Sequence, residues 1–280
     1  MILFKHIKIR IFMLTALFFI LTNQSVFAQK SIATPLQPEK FHTQRELGVY
    51  FGLGLNIQSG SFLTKCDCPA FENGTAFGWK FGFLYEQDIT PVLQFGAALG
   101  INSIGVDASY QYNKDRTFTT DVGGTVINDT VPILFRQEAR ADFLNFEFMP
   151  YIKWSPASIF FVRLGFDIGL NLSSNIKHSE EILQKTVQLP STGEIVEVAF
   201  KDGSTNVVVE NGDFPNIVSP QFYIVPAVGL NIQLSENIFL APVFDYSLPL
   251  SQVSTNGNGF SIANWRIIAE LRWAFRLRME

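Results

Sequence analysis

Between Phe160 and Leu172 every second residue is apolar: Phe160, Val162, Leu164, Phe166, Ile168, Leu170 and Leu172. The residues between them are Phe161, Arg163, Gly165, Asp167, Gly169 and Asn171. Successive side chains of a strand point to opposite faces, so such a segment puts grease on one side and charge, amide and glycine on the other. Seven further stretches behave the same way. A soluble β-sandwich would turn its polar faces outward. An apolar exterior around a polar interior is the pattern of a transmembrane β-barrel.

The eight stretches can be assigned face by face. The first puts Val49, Phe51, Leu53, Leu55 and Ile57 outward, and Tyr50, Gly52, Gly54, Asn56 and Gln58 inward. The second puts Phe77, Trp79, Phe81, Phe83 and Tyr85 outward, and the third Leu93, Phe95, Ala97, Leu99 and Ile101. The third weakens through Val106 and Tyr110, which suggests a strand projecting beyond the bilayer. The fourth carries Leu144, Phe146, Phe148 and Ile152 outward, with Pro150 on the same face, where a bulge or break is expected. The fifth is Phe160–Leu172. The sixth starts near Ile224, the seventh runs from Ile238 to Leu248, and the eighth from Trp265 to Leu277.

The connections supply a separate constraint. Gln87–Pro91, Ser155–Ser158 and Ser235–Asn237 are short and rich in turn residues. They alternate with long segments: Ser59–Gly74, a polar loop around Gly123-Gly124, Ser173–Pro220, and a Gly/Asn-rich loop around Asn256–Gly259. Short periplasmic turns, long extracellular loops and an even strand number are the rule for outer-membrane barrels. In the long third loop, Glu194–Val198 and Asn206–Glu210 read as a hairpin standing above the membrane. Ten strands would result if Val187–Glu210 crossed the bilayer twice, but Glu194, Glu197, Lys201 and Asp202 argue against it.

The first 28 residues read as an export signal for the Sec pathway. Lys5, Lys8 and Arg10 precede an apolar run from Ile11 to Leu21, and cleavage is expected between Ala28 and Gln29. The rival is a retained anchor, but a bilayer-spanning helix needs roughly 20 apolar residues. A flexible periplasmic lead is expected over 29–45, and one barrel domain over 46–280. The chain is 47% hydrophobic, with 28 Phe and 20 Gly. Without the three basic residues of the signal it has 18 Lys+Arg against 25 Asp+Glu, a formal charge of −7. That balance disfavours a nucleic-acid partner.

The inward-facing set mixes Lys80, Lys153, Arg163, Arg266, Arg272 and Arg276 with Glu86, Glu147, Asp167, Asp245 and Glu270. An eight-stranded lumen is just wide enough for side chains to fill, and charges taken from water must pair or stay wet. The set is therefore either a structural ion-pair plug or a narrow polar conduit or small-ligand site. Cys66 and Cys68 are the other unusual feature. In an oxidising compartment they are expected to form a loop disulfide, although the ring is very small and removes little chain entropy. A link between loops or molecules is the alternative. A metal site would need further ligands, and no His lies near in sequence. His42 and His178 fall on opposite sides of the membrane by strand parity and read as solvated residues. Neither has a partner nucleophile or base in sequence. No cofactor or metal motif appears.

The stretches Val49–Gln58 and Trp79–Gly100, the turn Ser155–Ser158 and the final strand Ala263–Leu277 resemble the small Gram-negative outer-membrane β-barrel domain family of OmpX-like and PorT-like type. The resemblance spans Glu46–Leu277. It implies an all-β, eight-stranded antiparallel up-and-down barrel in the outer membrane. It also implies porin-like, adhesion or secretion-accessory roles; the charge-filled lumen and the long loop at 173–220 point to a non-enzymatic surface protein whose loops bind a partner or ligand. The partners it implies are outer-membrane lipid and lipopolysaccharide, the barrel-assembly machinery, and an extracellular ligand or protein. Outer-membrane lipid A acylases, deacylases and omptins share the architecture but use His-centred constellations that this sequence does not match. Many such chains end on an aromatic residue; here Phe275 is followed by Arg276–Glu280.

Overall fold

A computed structural model describes residues 44–276, apart from positions 67 and 123. The export segment, the Ala28/Gln29 junction, His42 and the tail from Leu277 lie outside the described residues, as does the side chain of Arg276. Eight strands form the wall: β1 (Gln44–Phe62), β2 (Thr75–Asp88), β3 (Leu93–Val122), β4 (Thr125–Trp154), β5 (Phe160–Ile182), β6 (Gln221–Leu230), β7 (Ile238–Pro249) and β8 (Gly257–Arg276). Each pairs antiparallel with the next. β8 pairs with β1, Gln44 opposite Arg276 through Gln58 opposite Ile262, and closes the ring. Closure leaves no bare edge, which hydrocarbon would not tolerate.

The outward residues form an apolar belt. Phe77, Phe83, Ile152, Leu164 and Ile267 are among its exposed members, and Trp154 and Trp273 stand near its periplasmic end. Trp and Tyr favour such a boundary because one end of the ring is apolar and the other wet. Room inside comes from residues without side chains: Gly82 and Gly100 lie opposite each other across β2 and β3, and a Cβ on either would collide with the Tyr50 hydroxyl.

The walls continue far beyond the belt. A tilted membrane strand needs about 9–11 residues, whereas β3 and β4 each have 30. The segment around Gly123-Gly124 is thus not a loop but the tip of a long hairpin, paired from Leu93↔Trp154 to Val122↔Thr125 without a register shift. Above the belt the polarity of the wall reverses. On β3, Ile104, Val106 and Ala108 point inward and are buried, while Asp107 and Ser109 are exposed. Phe143, Ala141 and Ala139 do the same on β4. With Phe62, Phe71, Ile176, Phe214, Val253, Phe260 and Ile262 they make an apolar core inside the extracellular part of the barrel.

β5 reaches Ile182, so the segment read as a loop from Ser173 is strand for its first ten residues. Its register against β4 shifts between Leu144↔Ser173 and Asn145↔Asn171, leaving Leu172 as the extra residue. A single extra residue flips every side chain beyond it to the other face. That is why Ile176 and His178 are buried although Arg163, Gly165 and Asp167 set the inward parity below. At Pro150 the wall is less disturbed than expected. The β3 ladder passes through Ala97↔Pro150, and the β5 ladder skips Met149 and Pro150 and resumes in the same register.

The third loop is also organised differently. Asn206–Asp213 adds to β5 opposite Asn175–Glu181. Thr186–Gln188 pairs instead with Ile195–Glu197 as a separate small sheet. That sheet packs Val187 and Val198 against Ile133 and Phe135 of the long hairpin. The bilayer-crossing ring therefore has eight strands, not ten.

Candidate functional site

The lumen of the belt holds ten of the eleven charged residues assigned to it by strand parity. Lys80, Glu86, Glu147, Lys153, Arg163, Asp167, Asp245, Arg266, Glu270 and Arg272 are all buried. The eleventh, Arg276, has its side chain outside the described residues. The ring brings these residues together in two layers.

The lower layer, toward the periplasmic turns, is a chain of ion pairs. Glu86 binds Lys153 and Arg272, whose Nη1 is 3.0 Å from Glu86 Oε2. The same Nη1 lies 3.2 Å from Glu46 Oε2. Arg272 Nε is 3.4 Å from Glu270, and Arg163 donates to the other Glu270 oxygen at 2.7 Å. The Tyr151 hydroxyl donates to Glu86 at 2.9 Å. Two aromatic faces complete the packing. Lys153 and Arg272 stand over Phe161, at 4.9 and 5.2 Å from its ring centre, and Arg163 lies over Tyr151 at 4.8 Å. Attraction of cations to ring faces is strongest when both are desolvated.

The upper layer has fewer ions and more amides. Lys80 pairs with Asp245. Arg266 donates to Asn56 Oδ1 at 2.6 Å, and Asn102 donates to Glu147. Asn145 donates to Gln221 at 3.0 Å, as the Tyr223 hydroxyl does at 2.9 Å. Asp167 Oδ1 and Arg266 Nε have no hydrogen-bond partner among the described residues. Above this layer the aromatic core begins, with Phe62, Phe214 and Phe260 in mutual contact at 5.0–5.7 Å between ring centres.

Parity reading missed several members of this lumen. Glu46 sits on the inward face of β1 by the same alternation that places Tyr50, and the signal was its even position. Asn56 had been placed inward but without a partner, and its bond to Arg266 crosses 210 positions of sequence. Gln221 precedes the assigned part of the sixth strand and carried no signal of its own.

The second candidate region lies at the extracellular end. His178 is neither in a loop nor solvated. It is fully buried, hydrogen-bonds the Gln137 side chain through Nε2, and meets the edge of Phe71 at 5.2 Å. Burial holds its imidazole below the ordinary histidine pKa, against the opposing pull of Glu180 and Glu210. Gln137 is an amide and can be neither a nucleophile nor a base for it. Cys66 and Cys68 are half-buried, with Cα atoms 5.3 Å apart, and are joined as a disulfide, the loop disulfide expected from the sequence.

No family model matches this chain, and no protein of curated function does either. Among solved structures it is similar to Ail, the attachment invasion locus protein of Yersinia pestis, at 10% identity over 81% of this chain and 98% of that one, with a TM-score of 0.30. It is also similar to Neisserial surface protein A, at 12% identity over 82% of this chain and 97% of that one, with a TM-score of 0.34. The outer-membrane protease OmpT from Escherichia coli gives 10% identity over 86% and 99%, with a TM-score of 0.29. These likenesses are loose. It is the closed antiparallel ladder, with its apolar belt and charged lumen, that makes the chain an eight-stranded outer-membrane β-barrel.

Proposed function

We propose that this barrel is a non-conducting, non-enzymatic pedestal that displays a rigid extracellular tower to a partner. The observation that carries the reading is the filled lumen: an interlocked ion-pair layer below, an amide layer above it, and an aromatic core on top. A pore for ions needs water along its axis, and side chains fill small barrels of this size. The display role rests on the tower's exterior. Asp107, Ser109, Glu138, Arg140 and Lys177 line a water-facing groove of about 380 Å³ that offers both signs of charge to a polar ligand or protein. In this reading outer-membrane lipid and lipopolysaccharide surround the belt, and the barrel-assembly machinery inserts it. Planar-bilayer recording of the purified barrel tests the plug: no steady conductance is expected at neutral pH. A large steady pore would overturn the reading.

The rival is a narrow conduit. The unpartnered Asp167 Oδ1 and Arg266 Nε in the amide layer favour it, since such atoms can be served by water. It requires a small conductance whose ion selectivity changes when Arg163 is neutralised.

A further inference from the structure

We propose that Cys66, Cys68 and His178, once the disulfide between the two cysteines is reduced, form a binding site for a single soft metal ion, Zn(II) or Cu(I), at the extracellular end of the barrel. The two sulfurs and an imidazole nitrogen of His178 all lie within 4.8 Å of one another. In sequence the histidine is more than a hundred residues away, and only the β5 bulge turns it to face the cysteines' loop. Two thiolates and one imidazole are the donor set that soft or borderline d10 cations select. Three protein ligands leave a position open for water or another small molecule, as in zinc sites that do chemistry.

The surroundings hold the three donors in place. His178 Nε2 is occupied by Gln137, which fixes the ring, while Nδ1 is buried with no hydrogen-bond partner among the described residues. A ligating histidine characteristically has its other nitrogen engaged in this way. Glu210 stands opposite His178 in the ladder, accepts the Lys65 backbone N–H at 3.0 Å and pairs with Lys65 Nζ at 3.4 Å. The Thr64 hydroxyl lies 3.1 Å from Cys66 Sγ and 3.6 Å from Cys68 Sγ. The Tyr110 hydroxyl donates to the Pro69 carbonyl at 2.7 Å. The loop that carries the cysteines is thus tied to β3 and to the Asn206–Asp213 strand. Joined as a disulfide, the pair closes a ring too small to constrain much unfolded chain. Reduced, it gives two thiols, which release two protons to solvent as they bind a divalent ion.

The folded barrel in detergent, treated with a phosphine reductant and desalted, provides the test. The phosphine takes the oxygen of one water to become its oxide, and the disulfide becomes two thiols. Zn(II) alone is then added and retained metal is measured against a chromogenic chelator. One equivalent per barrel is expected in the reduced protein and none in the oxidised. Cys66→Ser, Cys68→Ser and His178→Gln should each weaken binding by more than about tenfold, the least that loss of even an orienting partner costs. Heat-modifiable gel mobility checks that each variant is folded. Should His178→Gln fail to fold, the His42→Gln protein labelled with 15N-histidine leaves His178 as the sole mature histidine. Zn(II) must then shift its ring nitrogen resonance. No retained metal in the reduced barrel, binding unaltered by His178→Gln, or an unmoved resonance would each overturn the proposal.

Discussion

Within one continuous wall, the barrel runs two opposite solutions to burial. Across the belt, apolar side chains face out, and the interior holds the ion pairs and amides beside Leu84, Met149, Phe161, Val225, Val243 and Ile268. Above it, apolar side chains face in and the exterior carries Asp107, Arg140, Asp142 and Lys177. The strands are the same strands; only the solvent outside changes from lipid to water. In lipid a Phe gains little by turning inward, so the interior can carry matched charge and hydrogen bonds, packed beside a few apolar residues such as Phe161 and Ile268. In water the gain returns at roughly 25 cal/mol per Å², and Phe62, Phe143, Phe214 and Phe260 move to the axis. β3 and β4 make the change by sequence alone, keeping their parity throughout. β5 makes it with one inserted residue.

That residue gives the most severe way to break the comparison. Inserting one alanine between Leu172 and Ser173 adds a second extra residue to this point of β5 and sends Ile176 and His178 outward and Lys177 inward. An unpaired lysine in the aromatic core, together with lost apolar burial, should destabilise the tower by more than about 4 kcal/mol. The belt should survive, because every pair below Asn145↔Asn171 keeps its register. Amide hydrogen exchange resolves the two halves: fast exchange is expected on residues 174–182 and unchanged protection on 161–171. Uniform protection would mean that the bulge has widened to absorb the added residue.

Breaking the lower half should cost somewhat less. Glu86→Ala leaves Lys153 and Arg272 facing each other in a closed lumen without their shared carboxylate. Removing one partner of a buried pair typically costs about 3–5 kcal/mol. Urea unfolding in lipid vesicles should show a large fall in midpoint with little change in slope. A loss under about 1 kcal/mol would mean that water reaches the layer, which would favour the conduit reading.

These two tests mark what the sequence made legible. The belt was plain, because lipid demands unbroken outward alternation and Phe77–Phe83 or Phe160–Leu172 supply it. The inward charges followed from the same parity. The tower was not plain, because its alternation runs with the opposite sign: Ile104, Val106 and Ala108 fall on the face that reads as lumen, where the alternation already weakens. A bulge carries no compositional mark here, since Leu172 resembles any lipid-facing residue. Its parity flip therefore displaced His178 from the core to an apparent loop. The meeting of His178 with Cys66 and Cys68 depends on barrel closure over more than a hundred positions, which no local pattern encodes.

The mildest test locates the boundary between the two regimes. Leu99 and Ser109 both face outward on β3, ten positions apart, one in the belt and one in the tower. Leu99→Arg places a guanidinium against hydrocarbon, and near the bilayer midplane that costs about 2–4 kcal/mol. Ser109→Arg places it in water opposite Glu138, its partner across the ladder. Opposite charges facing each other across strands are worth a few tenths of a kcal/mol, so the change should stay within about 0.5 kcal/mol. Unfolding free energies of the two variants, measured in the same vesicles, should differ by most of the Leu99 penalty. Intermediate substitutions at Ile101, Ser103 and Asp107 should then trace a fall in cost along the strand. If arginine at Ser109 proved as costly as at Leu99, lipid would reach the upper wall, and the inward aromatic core could no longer be ascribed to water outside it.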